Sequence, residues 1–199
     1  MINDKEFYSP KNYRSKIKTP FELLASSLRA LDANTNGSVA LIGLLNRMGE
    51  PLYGYQAPTG YPDTAQDWVN TGALLERMNF AVALSSNRIP QTNVNLRQFS
   101  AGGKTQILDR AIENILHGEI SQSTRATLLR QMDKPLPKVT LTEGDTMIDG
   151  DDDSDQMQMQ NQRRRRGNNR RARLREPSGD PEVFKVVGLI LGSPEFQRQ

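Results

Sequence analysis

One histidine, His117, and no cysteine bound the chemistry open to this chain. A self-contained Ser/His/Asp triad has a single possible base, and thiolate metal sites and disulfide frameworks have no ligands at all. His117 precedes Gly118 in the last turn of an expected helix, where it serves as a cap and favours the helix dipole. Gly103-Lys104-Thr105 has the ending of a phosphate-binding loop. The motif also requires a glycine at position 98, which is Gln98, and a preceding strand that the pattern does not supply. The simpler reading is a glycine turn entering a helix. A calcium loop begun at Asp149 puts Ser154 where glycine is needed and Gln160 where glutamate is needed, so the EF-hand template fails. No cofactor and no metal site is expected.

The richest contact chemistry lies in residues 50–63, EPLYGYQAPTGYPD, and just beyond. Tyr53, Tyr55, Gln56, Thr59, Tyr61, Trp68 and Asn70 combine flat apolar faces with hydrogen-bonding tips. Such residues suit a sugar, a peptide or a protein partner. They equally suit a structural role, clamping a proline-rich loop that lacks regular backbone hydrogen bonds. Asp63, Asp67 and Glu76 nearby read as caps and exposed helix residues. A second candidate is the arginine tract: Arg163, Arg164, Arg165, Arg166, Arg170, Arg171, Arg173 and Arg175. Clustered arginines bind polyanions in a salt-dependent, sequence-independent way. The tract holds no aromatic residue for base stacking, and seven acids between 143 and 155 compete for its charge. A nucleic-acid partner is therefore not expected, and a solvated, self-neutralising linker is the plainer reading.

These residues must be carried by helices. Residues 1–18 are polar, with Phe7, Tyr8 and Tyr13, and read as an arm. Thr19, Pro20 and Glu22 form a capping box with proline at the first helical position. Phe21, Leu24, Leu28 and Leu31 then repeat at helical spacing. A second helix runs from about 38 to 48 with Leu41, Leu44, Leu45 and Met48 inward, and Gly49 closes it. Asp63 or Thr64 caps a turn holding Trp68. Thr71 caps a helix to about 85, with Leu75, Met78 and Val82 on one side and Leu74 and Ala81 beside them. Residues 86–103 read as a polar loop. Helices over 104–117 and 121–132 follow, the first with Leu108, Ala111, Ile112 and Ile115 inward.

From 133 to 178 the apolar pattern collapses into an acidic block, a Gln/Met stretch and the arginines, a composition that predicts disorder. Asp180 and Pro181 then open a helix that is apolar nearly all round, so it should be buried among the others. The expectation is an all-α, irregular bundle of about six helices: an arm over 1–18, a body over 19–132, a disordered charged insert over 133–178 and a C-terminal helix over 179–199 that packs back on the body. No period repeats along the chain. The formal charge of +3 excludes nothing by itself. No apolar run is long enough to cross a membrane, and residues 1–20 hold no signal-peptide core.

Three stretches resemble a known family: TPFELLASSLRAL (19–31), MGEPLYGYQAPTGYPDTAQDWVNTGALLERMNFAVAL (48–84) and LILGSPEFQRQ (189–199). Together they look like the C-terminal part of the bacterial "domain of unknown function 1800" proteins. The resemblance covers the helical body but not the insert. It implies an exported protein, periplasmic or extracellular when full-length, whose N-terminal portion carries the export signal and is missing here. That portion would be a partner, as would a sulfatase-like exported protein often encoded beside the family. The resemblance implies no established reaction. Three roles remain: an interaction and packing module, part of an enzyme acting on surface polysaccharide, or a polyanion binder.

Overall fold

The computed structural model describes residues 4–6, 9, 12–62, 64–100, 102–135 and 174–199. Its organising element is a helix near the C-terminus. Asp180 accepts the Glu182 amide at 2.9 Å, Pro181 occupies the first helical position, and the helix Pro181–Leu191 follows. Val183, Val186, Val187, Ile190 and Leu191 are all buried. The helices packed against it are Thr71–Ser85, Lys104–Leu116 and Gln122–Met132. Numbered in chain order, the helices are α1 (Pro20–Ala30), α2 (Val39–Arg47), α3 (Ala65–Trp68), α4 (Thr71–Ser85), α5 (Lys104–Leu116), α6 (Gln122–Met132), α7 (Pro181–Leu191) and α8 (Pro194–Gln197). One apolar cluster joins residues from both sides of positions 136–173, so the body and α7 share a core.

The closest packing is between α4 and α7, which run antiparallel. Gly188 faces Ser85 and Val82, while Gly192 faces Met78. A Cβ at Gly188 would lie 3.0 Å from Ser85 Oγ and 3.5 Å from the Val82 backbone, so glycine permits this approach. Opposite it α4 is buried on every side, from Asn79 to Ser85. The expected stripe on α4 is therefore corrected. Leu74 and Leu75 are 48% and 61% exposed, because the first turn of α4 projects past the end of α7. On α1, Phe21 is likewise exposed and Leu23 takes its place in the core beside Leu24 and Leu31.

The expected loop over 86–103 is more ordered than its polar composition suggests. Thr92–Asn93 pairs with Asn34–Thr35 in a two-residue antiparallel ribbon, and the two threonine hydroxyls lie 2.8 Å apart. Asn87 brackets Val94, donating to its carbonyl and accepting its amide. Ile89, Val94 and Phe99 are buried, the last in a 3₁₀ turn over Leu96–Phe99. At α5, Gly103 is the N-cap and the Lys104 ammonium faces Asp133 at 3.5 Å and Glu182 at 3.6 Å. The helix ends with His117 and Gly118 both in left-handed conformation.

The expected edge of the insert also moves. Leu174 packs against the core, and the chain over 174–178 lies along residues 86–88. Arg175 donates its amide to the Arg88 carbonyl at 2.7 Å, and Ser178 donates to Ser86 at 2.9 Å. Residues 136–173, including the acidic block, lie outside the described residues.

The two ends of the chain meet. Lys16 and Gln199 exchange backbone hydrogen bonds at 3.1 and 2.8 Å, and Lys18 donates to the Gln197 carbonyl at 2.9 Å. Arg77, only 1% exposed, fixes this clasp from within. It donates to Gln197 Oε1 and to the Lys18 carbonyl, both at 2.8 Å. The Gln197 amide in turn donates to the Leu191 carbonyl, which anchors the clasp to α7. Burial lowers the guanidinium pKa, and the Glu50 carboxylate opposes that shift. Arg77→Met would strand two buried acceptors and should cost about 3 kcal/mol in urea unfolding. Arg77→Lys should recover only part of that loss, because an ammonium cannot reproduce the planar fork.

Lys18 lies over the Phe196 ring, 4.1 Å from its centroid. Burial, aided by Arg14 and opposed by Glu22, pulls its pKa from 10.5 down to about 8. Between those values the unfolded chain holds a proton that the folded chain has released, so this group makes stability rise with pH. Wild type should gain stability relative to Lys18→Met between pH 7.5 and 9.5, read from urea midpoints at each pH. A constant difference would refute it.

Candidate functional site

The aromatic loop begins where α2 ends. Met48 is the C-cap and Gly49 is left-handed at φ +95°. Gly49 donates to Asn46 O at 3.1 Å and Glu50 to Leu45 O at 3.0 Å, a Schellman closure. This turn carries the Glu50 carboxylate to the start of α1, where it accepts the Phe21 amide at 2.7 Å. It thus complements the threonine cap already present, in which Thr19 Oγ1 accepts the Glu22 amide and Glu22 accepts the Thr19 amide. The loop is consequently held to α1 at its root. Arg47 and Glu76, 3.7 Å apart, join α2 to α4.

Two tight turns follow. Gly54 donates to the Pro51 carbonyl at 3.0 Å, and Gly60 to Ala57 at 3.2 Å. Tyr61 reaches back across the loop and donates its phenol to the same Pro51 carbonyl at 2.5 Å. Its ring lies between those of Tyr55 and Trp68, with centroids at 4.6 and 5.9 Å. The Trp68 ring is 4% exposed, and its Nε1 donates to Pro62 O at 2.8 Å. Desolvation raises the Tyr61 phenol pKa, with further contributions from Glu50 and Tyr55.

The seven candidate contact residues therefore separate by environment. Tyr61 and Trp68 hold the loop together. Asn70 is the N-cap of α4, its Oδ1 accepting the Ala73 amide at 2.8 Å, so the cap falls one residue before the expected Thr71. Tyr53, Tyr55, Gln56 and Thr59 are exposed. Tyr53 is fully so, and it is held at φ +58°, a left-handed conformation that a bulky residue rarely adopts. Sequence reasoning did not find the apolar residues beside them. Leu52, Val69, Leu74 and Leu75 are exposed as well, the two leucines of α4 because their expected partner surface stops short. A Leu-Leu pair at the very start of a helix was the available signal.

Of the carboxylates near the loop, Asp67 accepts the Thr64 hydroxyl and Glu76 faces Arg47. Asp63 lies outside the described residues. In the arginine tract only Arg175 is described. It is exposed, and its carbonyl accepts from Arg88 Nε at 3.0 Å. Arg163, Arg164, Arg165, Arg166, Arg170, Arg171 and Arg173 lie outside the described residues.

The motifs that built this loop and the terminal clasp are also those that carried the resemblance. A model of the family described as "Protein of unknown function (DUF1800)" matches residues 1–198. The chain belongs to that family. The match spans almost the whole chain, beyond the three stretches that first pointed to it. No curated protein and no solved structure matches this DUF1800 member. Among the described residues, no helix is long and apolar enough to cross a membrane.

Tyr53→Gly should stabilise the protein by up to about 1 kcal/mol, the strain of a left-handed non-glycine residue less the entropy of glycine. Tyr61→Phe should cost about 1 kcal/mol and speed amide exchange at Gly54 and Gly60. Trp68 is the sole tryptophan, so its emission reports the same loosening.

Proposed function

We propose that this chain is a helical interaction and packing module whose contact surface is the aromatic loop with the first turn of α4. One observation carries the reading. Leu52, Tyr53, Tyr55, Val69, Leu74 and Leu75 are six of the ten exposed large apolar side chains among the described residues, and all fall between positions 52 and 75. Apolar side chains gathered in this way mark contact surfaces on soluble proteins. Tyrosines on a loop held by internal hydrogen bonds and stacked rings supply contact area at a low ordering cost. The left-handed Tyr53 fits the same reading, since strain of this kind persists where a side chain must be presented.

The partner most consistent with the family resemblance is the N-terminal portion that longer members carry. An exported location rests on the same resemblance. A soluble N-terminal portion from a longer member, supplied in trans, should be captured by this chain. Tyr53→Ser combined with Leu75→Ser should weaken capture at least about tenfold, with circular dichroism and thermal midpoint unchanged. Undiminished capture by that variant would refute the assignment of this surface. Trp68→Ala is unsuitable for the test, because the buried indole supports the loop itself.

A further inference from the structure

A second surface lies away from the aromatic loop. α4 and α6 flank α7 on either side and both run antiparallel to it. For α4 this follows from Gly188 lying by Ser85 and Gly192 by Met78. For α6, Lys185 Nζ donates to the Met132 carbonyl at 2.6 Å, and Ser121 donates its amide to Glu195 at the other end at 3.2 Å. Between these two flanking helices is an open groove of about 520 Å³. Val82, Leu128 and Leu189 form its apolar floor, with Met78 along one edge. That volume falls within the range of sites that enclose small ligands, roughly 300–1,000 Å³. Methionine adds an adaptable wall. On the α4 side the groove is lined by Met78 and Val82 alone, a single turn. A docked helix needs an apolar stripe extending over more than one turn on each wall, so a flexible chain suits the groove better.

The groove is polar at one rim. Thr127 and Gln131 of α6 line it, and Arg130, exposed and outside the lining itself, reaches the Thr127 hydroxyl. Arg130 donates from Nη2 to Thr127 Oγ1 at 3.2 Å and from Nε to the Ala126 carbonyl at 3.4 Å. Among the described residues it has no carboxylate partner. A guanidinium has five N–H donors, so three remain for an anion. At the opposite end the Glu195 carboxylate is held at the start of α6, where it disfavours a second negative charge. The groove thus has an apolar floor with hydroxyl and amide groups along its α6 wall, an arginine next to that wall, and the Glu195 carboxylate beyond its other end.

We propose that this groove binds a free single-chain fatty carboxylate, with the alkyl chain over Leu189 and the carboxylate on Arg130 and Gln131. The inference is independent of the aromatic loop. Titration calorimetry with dodecanoate, below its micelle-forming concentration, should give one site per chain. Arg130→Gln, at an exposed position, should weaken binding about fivefold, the worth of an ion pair at a wet rim. Dodecanol should bind both proteins equally. Thr127→Trp, which fills the groove from its exposed wall, should abolish binding with helix content unchanged. Equal dodecanoate affinity in wild type and Arg130→Gln would overturn the proposal. So would binding only to phosphatidylglycerol vesicles, or only to an acidic amphipathic peptide.

Discussion

Burial of α7 against α4 is the contact on which the remaining structure depends. The two helices meet through Gly188, Val82 and Ser85, and everything else is arranged around that seam. Six large apolar side chains of α7 are removed from water, each worth roughly 1.5–3 kcal/mol. They come from beyond a charged stretch of several dozen residues. The added loop-closure cost grows by only about 0.6 kcal/mol for each doubling of loop length. Apolar burial therefore outweighs the length of the excursion, and a long polar insertion is compatible with one shared core.

The second constraint is polar and lies at the end of that seam. A buried arginine is tolerable only where its donors find acceptors. Arg77 finds them for Nη1 in the Gln197 side chain and for Nη2 in the Lys18 carbonyl, while its buried Nε is left without one, and through the two bonds the ends of the chain are held in register from inside the protein. This gives a physical reason for the residues of the C-terminal motif. Ser193 caps α8, Pro194 begins it, Phe196 is buried beneath the Lys18 ammonium, and Gln197 bridges Arg77 to α7. The clasp and the root of the aromatic loop are connected in turn through α1, whose start accepts ties from both.

That arrangement explains why the loop can present apolar side chains without collapsing. Its backbone is irregular, yet the Schellman closure, the Tyr61 phenol and the Trp68 indole satisfy groups that regular structure would otherwise pair. The rings nearest the body support it and those furthest out face solvent. Tyr55 belongs to both sets, stacked on Tyr61 with its other side exposed.

Much of this was legible in the chain itself. The capping box at Thr19, the inward face of α5, the caps at Ser121 and Asp180 and the all-round apolar helix after the insert follow from local rules, and each occurs where those rules place it. Local rules fail where burial depends on how far a neighbour extends. The period in α4 marks Leu74 and Leu75 as core, but α7 ends too soon to cover them. A polar loop conceals Ile89, Val94 and Phe99, because single anchors have no period. The sequence determined which segments are helical, since propensity, capping and periodicity act within a few residues. Tertiary structure decided which aromatic rings support the loop and which meet solvent, and that Arg77 would be sealed inside. Those outcomes depend on distances between segments far apart along the chain.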